Sequence, residues 1–154
     1  MTNAESLRLQ LGIADAPLVR AGLGEVCTFF WNNLGENPGN WIAYLRGIDF
    51  HRPVRSERLA RGTRLIRYET TGSRTFKPFS YFTRPGTSPQ TLGASFSETE
   101  FKEFEVIHDV QALVSTASGV KFGPRDGISR PGGGVQYIIA FKDAPALLRV
   151  GERH

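Results

Sequence analysis

Cysteine is nearly missing from this chain: its 154 residues include one, Cys27, and one methionine. A single thiol cannot close an internal disulfide. No HExxH, no CxxC and no paired His/Asp cluster accompanies it, so zinc and other metal chemistry is not expected. Cys27 lies in an apolar stretch and reads as a small core residue. Long apolar runs are missing as well. No segment approaches the ~18 apolar residues of a membrane helix, and the N-terminal segment lacks a basic-then-apolar secretory pattern. Membrane insertion by this domain is therefore not expected, and export needs another route or a larger parent protein. There is no internal repeat and no low-complexity tail.

What is present fits one globular domain. Hydrophobic residues make up 40% and charged residues 22% of the chain, enough apolar surface to build a sizeable core. The formal net charge of +4 and a pI near 9.6 favour an anionic partner only mildly. The distribution is more telling. Between His51 and Pro85 stand Arg52, Arg55, Arg58, Arg61, Arg64, Arg67, Arg74, Lys77 and Arg84, opposed by Glu57 and Glu69. Guanidinium forks match phosphate and carboxylate oxygens two at a time; the alternative is a set of solvated surface charges.

Helical patterns come first. Residues 3–12 read as a short helix or arm, and 17–33 as an amphipathic helix with Leu18, Leu23, Val26, Phe29 and Phe30 on its apolar side. Gly35–Gly39 breaks it, and a second short helix from Pro38 to Leu45 carries Trp41 and Tyr44. From Ile48 the texture changes to short strands separated by Pro and Gly. Thr63–Thr70 alternates Leu65, Arg67 and Glu69 on one face with Arg64, Ile66 and Tyr68 on the other. Phe79–Thr83 is a brief aromatic strand. Ser97–Glu100 has the spacing of a capping box and predicts a helical turn. Glu103–Val110, Gln111–Ser115, Val135–Phe141 and Leu147–Val150 are strand-like. Helices followed by strands, without regular alternation, predict an α+β fold: an N-terminal helical part (1–46) and a β-rich, mainly antiparallel core (47–154) within one domain.

One stretch stands apart. In Gly127–Ala140 a proline and three glycines lead directly into a β-branched strand, whose first large polar side chain is Gln136. Consecutive glycines are kept where backbone turns sharply or approaches something closely. Gln136 thus sits where a side-chain-free loop meets a rigid strand, as a ligand-facing group or as a partner for backbone.

The ordered set GIDFHRPV (47–54), LARGTRLIRYE (59–69), SYFTRPGTSPQTLG (80–93), ALVSTAS (112–118) and PGGGVQY (131–137) resembles the bacterial polymorphic toxin type 46 family. The closing motif is similar to that of the tuberculosis-necrotizing-toxin-like NAD glycohydrolases, and both groups are placed among the ADP-ribosyltransferase-like folds. The resemblance runs from Trp41 to Ile139, with no counterpart for the N-terminal forty residues. It implies an NAD(P)+-directed toxin carried by a larger secreted effector, acting in the target-cell cytoplasm and neutralised by a cognate immunity protein. It further implies Arg67 as the first-strand arginine that meets NAD, Ser115 and Thr116 as the second-strand Ser-Thr element, and Gln136 at the catalytic position. Tyr68, Ser80, Tyr81, Gly133 and Gly134 complete the expected substrate-binding set, and NAD+ or NADP+ enters as substrate rather than cofactor.

Breaking the bond between nicotinamide and ribose passes through an oxocarbenium-like state. The leaving group departs neutral, so no general acid is needed. The site must hold the pyrophosphate, fix the ribose and stabilise changing charge. Arg67 is expected to bind phosphate, the N–H groups around Gly132–Gly134 to cradle an anion, and Phe79, Tyr81 or Tyr137 to stack on a flat ring. Arg67 and Gln136 are thus expected to converge on one dinucleotide-sized cleft. A neutral Gln136 cannot deprotonate a protein nucleophile, which favours hydrolysis over ADP-ribosyl transfer, the alternative. A nucleic-acid-directed module built on the arginine stretch is the weaker third reading, since no nucleic-acid motif accompanies it. His51 and His108 enter only if RNA is cut.

Overall fold

The N-terminal helices are set by their ends and their apolar spacing. In the computed structural model, which describes residues 2–34, 42–70, 79–88, 91–92, 96–119 and 132–150, the Thr2 hydroxyl accepts from the Glu5 N–H at 3.2 Å. That contact caps α1 (Asn3–Leu11). Pro17 opens α2 (Pro17–Leu34), where its missing N–H costs nothing. Val19, Leu23, Val26 and Phe30 are buried along one side of α2, whereas Leu18 is 43% exposed. The apolar stripe thus runs through Val19 and not, as the sequence suggests, through Leu18. A one-turn helix, α3 (Ile42–Leu45), follows. Residues 35–41, including Trp41, lie outside the described residues, as does the Tyr44 side chain.

Seven strands then form one sheet: β1 (Arg55–Leu59), β2 (Arg64–Thr70), β3 (Phe79–Thr83), β4 (Phe96–Val106), β5 (Val110–Thr116), β6 (Val135–Ala140) and β7 (Leu147–Arg149), in the order β1-β5-β6-β3-β2-β4-β7. Every described pairing is antiparallel. The fold is α+β, as expected. The expected helical turn at Ser97–Glu100 is absent. Those residues belong to β4, which pairs with β2 from Arg64↔Glu105 through Thr70↔Phe96. The pairs on either side, Tyr68↔Phe101 and Thr70↔Phe96, hold this stretch against β2 across an irregularity in the register, and that long-range anchoring outweighs the two local hydrogen bonds of a capping box. The break expected after Val110 falls instead at Ile107–Asp109, and β5 begins at Val110.

That break shapes the sheet. β4 and β5 are four positions apart in the strand order, about 19 Å across a flat sheet. The three residues between them can bridge at most about 14 Å. The sheet must therefore roll. The Ile107–Asp109 connection is also tied to β1, the strand next to β5: Arg58 binds Asp109, whose carboxylate accepts the Arg61 N–H at 3.2 Å.

Strand alternation sorts the side chains to two faces. Leu59, Leu65, Phe82, Val106, Val114, Tyr137 and Ile139 fill the inside of the roll. Leu113, Ile138 and Ala140 face the other way and pack against Leu7, Leu23 and Phe30 of the helices and against Phe50 and Val54. A third, small cluster of Ile66, Tyr68, Leu92 and Ala117 occupies the helix-side face.

Candidate functional site

Gln136 stands at the start of β6 on the helix-side face, in register with Ser115 of β5 and Thr83 of β3. It is 6% exposed. Its Nε2 donates to the Gly47 carbonyl and to the Ser115 hydroxyl oxygen, both at 3.1 Å. A carbonyl only accepts, so the amide must turn its NH2 end toward Gly47. The Oε1 acceptor is left without a hydrogen bond among the described residues. A buried acceptor of this kind is costly unless something completes it.

Around it lies a small crevice lined by Ile66, Tyr68, Tyr81, Phe82, Thr83, Leu92 and Gln136. Its walls are fixed. Tyr68 donates its hydroxyl to the Thr87 carbonyl at 2.6 Å, and burial pushes its phenol up from the ordinary range, so it stays neutral. The Thr83 hydroxyl donates to the Val135 carbonyl at 2.7 Å.

The glycine triplet serves this geometry in an unexpected way. A Cβ on Gly132 would sit 2.6 Å from the Gly119 nitrogen and 2.7 Å from the Ala117 carbonyl oxygen, with φ at +76°. One on Gly134 would lie 2.5 Å from the Thr91 hydroxyl oxygen. Glycine is needed because three backbone segments meet here. The Gly133 N–H donates to Ala117 O and the Gly134 N–H to Thr91 O, both at 2.9 Å. This corrects the expected anion cradle: both N–H groups are already engaged within the fold. Gly47 is drawn in similarly. Its carbonyl also accepts the Ser118 N–H at 3.0 Å, the Asp49 N–H reaches Thr116 O at 2.9 Å, and Ile48 bridges Ala117.

Arg67 is elsewhere. It alternates with Ile66 and Tyr68, faces the inside of the roll, and lines a separate hollow with Phe82, Phe104, Ile139, Ala144 and Leu147. The expected convergence of Arg67 and Gln136 is therefore overturned by the pleat of β2, which sends odd and even positions to opposite faces. Thr116 pairs with Val135, so of the Ser-Thr pair only Ser115 shares the face of Gln136. Tyr137, an expected stacking ring, is 2% exposed inside the roll. Its hydroxyl accepts from Arg84 Nε at 2.6 Å, a bond that pushes the Arg84 guanidinium further up. Ser80 pairs with Ile139 and Phe79 with Ala140, and their side chains lie outside the described set. Residues 71–78, with Arg74 and Lys77, and 120–131 also lie outside it. His108 is exposed in the turn before β5, at the opposite end of that strand from Ser115. Ile66, Thr83, Leu92 and Gly47 were not foreseen; only the strand period at Ile66 hinted at its side.

Comparison with known proteins bears on this arrangement. A family model described as bacterial toxin 46 matches residues 12–122. The chain belongs to that family. The match reaches back into the N-terminal helices, where the sequence motifs offered no counterpart, and it ends before Gln136. A chain from a structure of Tse6 in complex with Tsi6 is 21% identical, with a TM-score of 0.68 over 90% of this chain and 100% of that one. It shares the fold. A chain from a structure of Rhs1-CT in complex with cognate immunity protein RhsI1 is 14% identical, with a TM-score of 0.47 over 70% of this chain and 82% of that one. No curated protein matches.

Proposed function

We propose that this toxin domain hydrolyses NAD(P)+ to nicotinamide and ADP-ribose or its phosphate, with Gln136 as the central residue. The carrying observation is the Gln136 amide, fastened through its NH2 to Gly47 and Ser115, with Oε1 left to accept from a ligand. That oxygen suits a ribose hydroxyl, and its fixed dipole lies where positive charge grows on the sugar. The crevice offers Tyr68 and Tyr81 as walls for a flat ring. Membership in a toxin family supports an activity that depletes a shared metabolite. The same reading takes the fold as ADP-ribosyltransferase-like. It also includes delivery within a larger secreted effector, action in the target-cell cytoplasm and a cognate immunity protein as partner.

In the reaction, water attacks the ribose anomeric carbon as the glycosidic electron pair returns to the pyridinium nitrogen. Nicotinamide leaves neutral, and the water proton passes to solvent. Hydrolysis is favoured over transfer because, among the described crevice residues, none is a carboxylate or imidazole able to deprotonate a protein nucleophile. Purified domain incubated with NAD+ is expected to release nicotinamide and ADP-ribose in equal amounts. Gln136→Ala is expected to slow this by well over tenfold, more than ~1.4 kcal/mol of transition-state stabilisation. NAD+ left intact by the wild-type domain would end the proposal, and label appearing on protein would point to the transferase.

A further inference from the structure

We propose that the site continues from Tyr68 onto Phe101, whose exposed ring takes the second flat base of the dinucleotide. This inference rests on the hydrolase reading of the Gln136 crevice and extends it along the sheet. Phe101 is 54% exposed, an unfavourable position for a large apolar ring. It lies directly opposite Tyr68 in the β2–β4 ladder, so both rings share the helix-side face. Their centroids are 5.7 Å apart at 63°, an edge-to-face pair. Tyr68 is anchored by its hydroxyl at Thr87 and lines the crevice with Gln136. Phe101 is thus braced on one side by a fixed wall of the site and open to solvent on the other.

The spacing suits a two-base ligand. From Gln136 the register passes through Thr83 on β3 and Ile66 on β2 to Glu103 on β4, and Phe101 is two residues along. Three strand spacings and one two-residue step give about 16 Å, longer than one nucleoside and within reach of an extended dinucleotide. Of the two carboxylate charges of Glu103 and Glu105 on this face of β4, one is offset by a guanidinium. Arg64 contacts both, at 3.5 and 3.0 Å.

The test separates this platform from the chemistry at Gln136. Phe101→Ala is expected to raise KM for NAD+ by about tenfold, in the range of aromatic–base stacking, with kcat changed less than twofold; Phe101→Trp should restore KM. Inhibition by AMP, which carries only the distal base, should weaken by the same factor, and inhibition by nicotinamide mononucleotide by less than twofold. Wild-type KM and AMP inhibition in Phe101→Ala would overturn the platform while leaving the hydrolase reading intact. Binding of ADP-ribose to the Gln136→Ala protein, with and without Phe101→Ala, gives a readout free of turnover. Weaker binding in the double variant supports the platform and equal binding overturns it, even if wild-type protein leaves NAD+ intact. Phe101→Leu, which keeps apolar bulk without a ring face, should behave like alanine; wild-type values in that variant would assign Phe101 to packing alone.

Discussion

At the scale of single residues, the proposed chemistry depends on which end of an amide points where. Gln136 offers its donors to Gly47 and Ser115. A glutamate there would present only acceptors when ionised, facing a carbonyl in a buried setting. Gln136→Glu is therefore expected to lower stability by about 2–4 kcal/mol at neutral pH. Because burial raises the new carboxyl above its unfolded value, that loss should shrink as pH falls toward the ordinary glutamate range. Denaturant unfolding at two pH values measures both. Gly132 gives a sharper case. An added methyl meets backbone at 2.6 Å with φ at +76°, so Gly132→Ala should cost several kcal/mol, about 3 or more, read as a fall in the unfolding midpoint. Asp109 supplies a titration. Its carboxyl is held below the ordinary value of 3.8, first by the Arg58 hydrogen bond and then by the Arg61 N–H. The folded value is the lower one, so its contribution is present above 3.8 and disappears as pH falls through the folded value. Arg58→Ala should move the Asp109 midpoint upward in an NMR titration.

At the scale of elements, neighbours decide what local sequence leaves open. α2 contains two glycines with opposite expectations. Nothing lies within 4 Å of a Cβ built on Gly24, whereas one on Gly22 meets Phe50 at 3.2 Å and Val54 at 3.4 Å. Gly24→Ala should therefore stabilise by about 0.5–1 kcal/mol, and Gly22→Ala should gain less or lose stability as the helix is pushed off the sheet. Thermal unfolding of both variants checks the contrast. Ser97–Glu100 teaches the converse lesson: a sound local signal for a helix start became strand because the flanking pairs Tyr68↔Phe101 and Thr70↔Phe96 hold the stretch against β2. Cys27 behaves as its setting suggested. It packs partly buried against the main core, and burial pushes its thiol up, leaving little thiolate to react at neutral pH.

For the whole molecule, the roll of the sheet determines which residues work together. Arg67 was assigned to the site by motif, yet the inside of the roll claims it. Arg67→Ala is accordingly expected to leave kcat/KM for NAD+ within about threefold, against the much larger loss for Gln136→Ala. Steady-state rates on the two variants decide this, and comparable losses would return Arg67 to the chemistry. In bacteria expressing the domain without an immunity protein, NAD+ should fall before growth stops, and the Gln136→Ala protein should be tolerated.

Composition and periodicity by themselves determined the broad outline: an α+β fold, helices before strands, an apolar α2, and a glycine-rich approach to a strand whose first large polar residue is Gln136. These are local properties, written in the spacing of apolar side chains and in runs of glycine. Tertiary structure decided the rest. That Gly133 and Gly134 spend their N–H groups on Ala117 and Thr91, that Gly47 receives the Gln136 amide, and that Arg67 lies across the sheet all depend on contacts between distant segments. A one-residue step along a strand reverses the face of a side chain, and no motif records which face the helices will cover.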